Sequence, residues 1–364
     1  MKRRHFVLTA LLILFLAVAP AMAVEVDPAP EGTFTVVVIP DTQDYADGGS
    51  PSGDFTGQEV FHEMFQWVHD NREEQNIVFV THVGDIVNRP NEREEWDVAR
   101  AAIDRIHGVI PYGLAVGNHD MNTRTGDSSV YQDYFGAERY AEFDWYGGYY
   151  EGHPELGPAV SGNNANSYQL ITAEGLDFVF LHLECNAPDD VLEWADGVLE
   201  EHSDRRAIMT THMYLGPVEH WGDRSYSDIP KGRVQWIKCH REGDRGNNAE
   251  QMWDKLIARH ANVMMVICGD QRGTQALRLQ SVGWNDNIVH ELLTDIRDGY
   301  LRLMRFNPAE NRIDVMTYSP TLRMFCDGTE ETMSGPRQPI GRVTDITQHQ
   351  FILSHDLTGP VPGN

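Results

Sequence analysis

The chain is short of positive charge: 29 Lys and Arg stand against 55 Asp and Glu, a formal net charge of −26 over 364 residues. Such a surface repels nucleic acid and anionic membrane, so neither is an expected partner. The acidity reads as a solubility or salt-adaptation trait of the whole surface, and it leaves an anionic substrate in need of local cations. Cysteine is scarce as well. Cys185, Cys239, Cys268 and Cys326 lie far apart with no C-x-x-C pair, which removes the spacing of thiolate zinc sites and dithiol redox motifs. In an exported chain an even count permits two disulfides, whose pairing the spacing does not rank, and Cys268 on an apolar strand reads equally well as core.

Long hydrophobic runs are absent but for one. Lys2, Arg3 and Arg4 precede the apolar run 6–19, followed by Pro20 and Ala21-Met22-Ala23. A charged start, a short apolar centre and a small-x-small end predict a secretory signal peptide over 1–23, cleaved after Ala23, and hence a secreted or periplasmic protein. Cleavage removes three cations and no acid, which takes the charge from −26 to −29. No later stretch approaches the roughly 18 apolar residues of a membrane span. Internal repeats and low-complexity linkers are also lacking. The expected organisation is a lead over 24–32, one domain over 33–320, and a C-terminal extension over 321–364.

What the sequence does hold is a series of apolar runs that end in polar groups. The run 110–116 stops at Gly117-Asn118-His119-Asp120; 35–38 leads to Asp41-Thr42-Gln43; 77–83 leads to Gly84-Asp85-Ile86-Val87-Asn88. A turn would account for Gly117 and Asn118 alone. Three strands that each end in a carboxylate or an amide, with helix-length segments between, match instead a metal site built from successive βα units at the carboxyl edge of a sheet. Residues 58–74 carry apolar side chains at helical spacing, 92–107 predict a second helix, and 167–173 with 176–184 predict a hairpin around Glu174-Gly175. Residues 206–211 and 263–268 predict further strands, ending at His212 and at Gly269-Asp270-Gln271-Arg272; strands in sequence follow from 274 to 318. The stretch 121–166 has no periodicity, and its aromatics Tyr131, Tyr134, Phe135, Trp145, Tyr146, Tyr149 and Tyr150 are either a substrate wall or a satellite core.

In order and spacing, Asp41, the GDxxN of 84–88, the GNHD of 117–120, His212 and Gly269 resemble the calcineurin-like metallophosphoesterases over residues 33–320. The resemblance implies an α/β fold, a four-layer αββα sandwich of two mixed β-sheets. It also implies two divalent metal ions, drawn from Mn, Fe, Zn, Mg or Ca, and hydrolysis of small phosphomonoesters or phosphodiesters by in-line attack of a metal-held hydroxide. Carried over, Asp85 bridges the two ions, Asp41 binds the first, and Asn118 and His212 bind the second. His119 acts on the phosphate or leaving group, with Asp120 orienting its imidazole.

The chain departs from the family pattern at two motifs. The first motif, DxH, is here Asp41-Thr42-Gln43, so Gln43 can coordinate only through oxygen, with Asp44 a stand-in. The last motif, GHxH, places Asp270 and Arg272 where imidazoles are expected. Asp270 can ligate; Arg272 cannot, and would grip phosphate or pair with Asp270. The second ion site is thus the better furnished, and the first is oxygen-only, suited to Mg, Mn or Ca. His290 and Asp295 in the following strand region read more readily as solvated or core-satisfied than as donors of a missing ligand. The competing expectation is a catalytically impaired protein that keeps the sandwich as a binding or structural module.

Overall fold

The computed structural model describes residues 24–220, 229–272, 274–326 and 345–361. The expected signal peptide, and 327–344 of the expected extension, lie outside the described residues.

The first strand, β1 (Phe34–Ile39), shows how the layers form. All six residues are buried, and they alternate: Phe34, Val36 and Val38 enter one apolar cluster, Val37 and Ile39 another. A strand covered on both faces is apolar almost throughout, and its one polar side chain, Thr35, gives its hydroxyl proton to Gln75 O. A single turn, α1 (Gln43–Ala46), follows. Next comes α2 (Gly57–Asp70), whose first turn is closed by a reciprocal capping box between Thr56 and Glu59. Then come β2 (Ile77–His82), α3 (Arg93–Ile103) and β3 (Tyr112–Leu114). The third strand is shorter than its apolar run, because the chain leaves the ladder after Ala115 N bonds His82 O at 2.9 Å, and Gly117 then closes on Asp85.

The aperiodic stretch contains α4 (Ser129–Phe135) and β4 (Tyr146–Tyr149). Tyr131 and Phe135 are buried around Trp96, and Tyr140 packs on Tyr112. They belong to the main apolar cluster, which corrects the substrate-wall alternative for those side chains.

The chain continues through β5 (Ser167–Ala173), β6 (Leu176–His182), α5 (Asp189–Glu201), β7 (Arg206–Thr210), β8 (Leu215–Pro217), β9 (Lys231–Arg233), α6 (Ala249–Lys255) and β10 (Val263–Cys268). It ends with β11 (Ala276–Val282), β12 (Ile288–Thr294), β13 (Leu301–Asn307), β14 (Arg312–Ser319), β15 (Met324–Phe325) and β16 (Phe351–Ser354). One sheet has the order β15-β14-β13-β1-β2-β3 with β16 also on β14; the other is β11-β12-β10-β7-β6-β5-β4. Within them β1, β2 and β3 are parallel, as are β6, β7, β10 and β12, while their flanks are antiparallel. Within the expected extension, residues 351–354 pack back on β14 as an edge strand.

The two sheets meet face to face. Phe34 stacks on Phe306 at 4.8 Å between ring centroids and meets Phe178 edge-on, and Phe79 of one sheet stacks on Phe180 of the other at 4.0 Å. On the far side of β6, Val179 and Leu181 join the cluster that holds Val191 and Leu192 of α5 and Met252 of α6. The fold is thus mixed α/β, two large mixed sheets with helices outside them, as the resemblance implies.

Polar links also cross between the sheets below the site. His182 Nε2 lies 2.9 Å from Thr81 Oγ1, which lies 2.7 Å from Thr210 Oγ1. His82 accepts Gly84 N at Nδ1 (3.1 Å) and donates from Nε2 to Thr42 Oγ1 (3.0 Å), whose own proton goes to Ile86 O. Burial pushes His82 and His182 from 6.5 down to about 3. Both are neutral in the fold, whereas in the unfolded chain they take up protons below about 6.5. The stability they permit is therefore complete above that pH and is lost as pH falls toward 3, at about 1.4 kcal/mol per pH unit for each. Urea unfolding should show a midpoint that drops between about pH 6.5 and pH 5, with a shallower drop in His182→Gln; a flat midpoint over that range would contradict it.

Candidate metal centre

The carboxyl ends of β1, β2 and β3 from one sheet and of β7 and β10 from the other open onto a single place. Backbone contacts fix the strand ends together: Thr42 N donates to Asp85 O at 3.0 Å, and Asp270 N donates to Asp41 Oδ2 at 3.2 Å. The packing is close enough to require glycine twice. A Cβ on Gly117 would fall 2.2 Å from Asp85 N and Oδ1, and one on Gly269 would fall 2.2 Å from Asp41 Oδ1. Asp85 and Asp270 themselves sit at φ 52° and 67°, left-handed conformations that a β-carbon disfavours and that tend to be held only where the site over-determines them.

Donor atoms of Asp41, Asp85 and His212 all lie within 4.8 Å of one another, and all three residues are buried. His212 Nδ1 donates to Val83 O at 2.8 Å, so Nε2 is the nitrogen turned to the carboxylates, 3.1 Å from Asp85 Oδ1 and 3.5 Å from Asp270 Oδ1. Those two contacts are close without being aligned as hydrogen bonds. Two further oxygens, Asn118 Oδ1 and Gln43 Oε1, are buried with no hydrogen-bond partner. A buried amide oxygen without a donor is costly in an ordinary core. Gln43 is tied to Asp85 through Nε2, and Asn118 lies between Gly117 and His119, which both meet Asp85; two amide oxygens with carboxylates and an imidazole nitrogen form a mixed O and N donor set that fits a divalent cation.

The charges are strongly unbalanced. Burial and the neighbouring Asp295 raise the Asp41 carboxyl well above its ordinary value. Burial works the same way on Asp85, but His212 and His119 outweigh it and hold that carboxyl low. Burial opposes charge on His212 too, and Asp85 with Asp270 overcome it, so the imidazole is raised well above 6.5. Asp295, two residues past Leu293 as Asp270 is two past its partner Cys268, lies at the same edge and is pushed by burial to about 6.

Several sequence expectations need correction. Asp120 does not orient His119: its Oδ1 accepts Ile86 N and Val87 N (2.8 and 3.1 Å) and its Oδ2 accepts Gly117 N (2.8 Å). It is a tie between the loops after β2 and β3. The His119 ring is held instead through Nδ1 by Asn88 O at 2.7 Å, while its backbone N donates to Asp85 Oδ1 at 2.8 Å. Arg272 pairs with Asp44 at 2.8 Å, not with Asp270, and Arg297 grips the same Asp44 oxygen. Asp44 is therefore engaged by two guanidiniums and is no stand-in ligand. Gln43 donates Nε2 to Asp85 Oδ2 at 3.1 Å. Asp270 is shared between His212 and Lys238, whose Nζ lies 2.8 Å from Oδ1. Lys238 and His82 had no motif to mark them; Asp295 was weighed as a donor, and its place at the edge follows from strand register.

Comparison with known sequences agrees with the geometry. The profile of the calcineurin-like phosphoesterases matches residues 34–239, more than half of the chain. The chain belongs to that family. It is similar to the uncharacterized protein YvnB of Bacillus subtilis (strain 168), 29% identical over 312 residues, covering 82% of this chain and 21% of that protein. The chain thus spans about a fifth of that relative's length. Among solved structures, a purple acid phosphatase from yellow lupin (Lupinus luteus) seeds aligns with a TM-score of 0.50 at 14% identity, covering 90% of this chain and 55% of that one. A 5'-nucleotidase precursor from Thermus thermophilus aligns at 0.43 and 13%, covering 81% and 53%.

Because Asp120 satisfies three buried backbone donors, its loss should be felt in the fold before the chemistry. Asp120→Ala is expected to cost about 3 kcal/mol or more of unfolding free energy, from charge-assisted bonds and stranded N–H groups. Urea denaturation reads this directly; a cost below about 1 kcal/mol would contradict the tie.

Proposed function

We propose that this protein is an exported metal-dependent phosphoesterase that hydrolyses small phosphate esters. The observation that carries the reading is the convergence of Asp41, Asp85 and His212 with the unpartnered oxygens of Asn118 and Gln43. Asp85, Asn118 and His212, with Asp270 beside them, would hold one ion; Asp41, the second oxygen of Asp85 and Gln43 Oε1 would hold another through oxygen alone, which favours Mg, Mn or Ca there. Divalent ions so held supply Lewis-acid polarisation of the phosphoryl oxygens and a nucleophile at neutral pH for in-line attack.

The chain's own residues supply the rest. His119 spends Nδ1 on Asn88 O, which fixes the ring and leaves Nε2 as its only nitrogen able to give a proton to the departing oxygen. Arg272, anchored by Asp44, keeps a fixed positive charge at the rim on the Asp41 side, where Asp41 and Asp295 are among the carboxylates that hold its charge. Gln43 donates to the Asp85 oxygen on that side and keeps the carboxylate from turning. Export rests on the segment 1–23. A second reading, a binding module without turnover, draws on the same substitutions, since Gln43, Asp270 and Arg272 stand where the family has imidazoles.

The test is the purified mature chain reloaded with Mn and offered p-nitrophenyl phosphate and bis-p-nitrophenyl phosphate. Turnover is expected, together with a fall in kcat of roughly 10²- to 10⁴-fold in His119→Ala at unchanged metal content by elemental analysis. Retention of no divalent ion, with neither ester cleaved, would sink the proposal. An unchanged His119→Ala in a metal-binding, non-hydrolysing protein would establish the binding module.

A further inference from the structure

The segment between β9 and α6 delivers a lysine to the site that the family pattern does not contain. Its backbone is firmly held. Asn186, fully buried, accepts both Lys238 N (2.9 Å) and Cys239 N (3.0 Å) at Oδ1 and donates from Nδ2 to Asn247 O (2.8 Å). One residue further on, His240 is fully buried, 3.3 Å from the equally buried Glu184. The side chain of Lys238, by contrast, is 36% exposed, and its Nζ reaches Asp270 Oδ1, the oxygen that also faces His212. An ammonium therefore stands at the open rim of the cation site, on an anchored backbone.

An ammonium has three N–H donors. Among the described residues one is used, on Asp270. Two are left, and a side chain partly open to solvent can present them to a ligand without breaking the ion pair. The need is clear from the surroundings: Asp41, Asp85 and Asp270 crowd the site, the chain as a whole carries −26, and Arg272 is already bound to Asp44. A phosphate approaching this centre meets repulsion that fixed cations must offset. The ammonium is flexible enough to follow phosphate oxygens while the carboxylate keeps it charged.

We propose that Lys238 binds the non-bridging oxygens of the substrate phosphate and favours the dianionic phosphate of monoesters over the monoanionic phosphate of diesters. This deepens the phosphoesterase reading and rests on it for the identity of the substrate, while the binding of phosphate itself can be tested apart from turnover. Lys238 is a substrate-binding residue in this account, and its pairing with Asp270 sets where the ammonium stands.

The experiment uses the mature chain, loaded with Mn, as wild type, Lys238→Met and Lys238→Arg. Inorganic phosphate binding is followed by calorimetry, metal content by elemental analysis, and KM and kcat on aryl phosphate and bis-aryl phosphate. Loss of one charge-assisted hydrogen bond should weaken phosphate binding in Lys238→Met by roughly tenfold or more. The monoester KM should rise by a similar factor, the diester KM by less, kcat should change little, and Lys238→Arg should recover most of the phosphate affinity at full metal content. Unchanged phosphate affinity in Lys238→Met would overturn the proposal. So would loss of metal in that variant, which would make Lys238 only a support for Asp270, or equal KM effects on both esters. If the wild type hydrolyses neither ester, the phosphate titration still decides the role of Lys238, so the two readings fail separately.

Discussion

The carboxyl groups of Asp41, Asp85, Asp120, Asp270 and Asp295 are buried together where the ends of two sheets abut; ionising such groups away from water is among the most expensive things a fold can do, and burial raises Asp41, Asp120 and Asp295 accordingly. The surrounding structure is largely a set of answers to that cost. Asp120 is met by three backbone N–H groups, Asp270 by Lys238 and His212, and Asp85 by His212, Gln43 and the His119 amide. Among the described residues Asp41 receives only the Asp270 N–H, and it has Asp295 beside it. What protein donors leave uncompensated lies on that side, and it marks where divalent charge would be welcome.

The same reasoning explains how the chain departs from its family at two motifs without losing the arrangement of the site. Replacing one imaginable imidazole by Arg272 introduces a permanent cation, and the structure absorbs it through Asp44, which Arg297 also holds. Where another is replaced by Asp270 an anion stands, and Lys238 pairs with it. Each of the two charges thus has a partner of opposite sign. Gln43 keeps an amide oxygen free while its nitrogen steadies Asp85, so the first motif retains a donor, though a weaker one.

Much of this could be read before any coordinates. Buried strands announce themselves as apolar runs, so β1, β2, β10 and β12 fall close to where periodicity places them, and the polar residues that end them are those that converge. The convergence of Asp41, Asp85 and His212 could be anticipated because each follows a strand. Side-chain partners were not. Asp120 follows His119 directly in the chain, yet its oxygens turn to backbone amides of the preceding loop, a choice set by the tertiary approach of Gly117 to Asp85. Lys238 lies in a polar stretch with no periodic signal, where Asn186, far away in sequence, holds its backbone while its side chain meets Asp270. For the aromatics of 131–150 composition left wall and core open because it carries no direction; packing on Trp96 and Tyr112 decides for core at Tyr131 and Tyr140.

The central claim is that these converging side chains share a cation, and anomalous diffraction from a Mn-loaded crystal tests it most directly. The account predicts an anomalous peak in coordination contact with Asp85 and His212 Nε2, at about 2.0–2.3 Å, with the Asn118 amide oxygen turned to the same ion. A map with no peak between Asp41, Asp85 and His212 at saturating Mn, or peaks only elsewhere on the acidic surface, would contradict it.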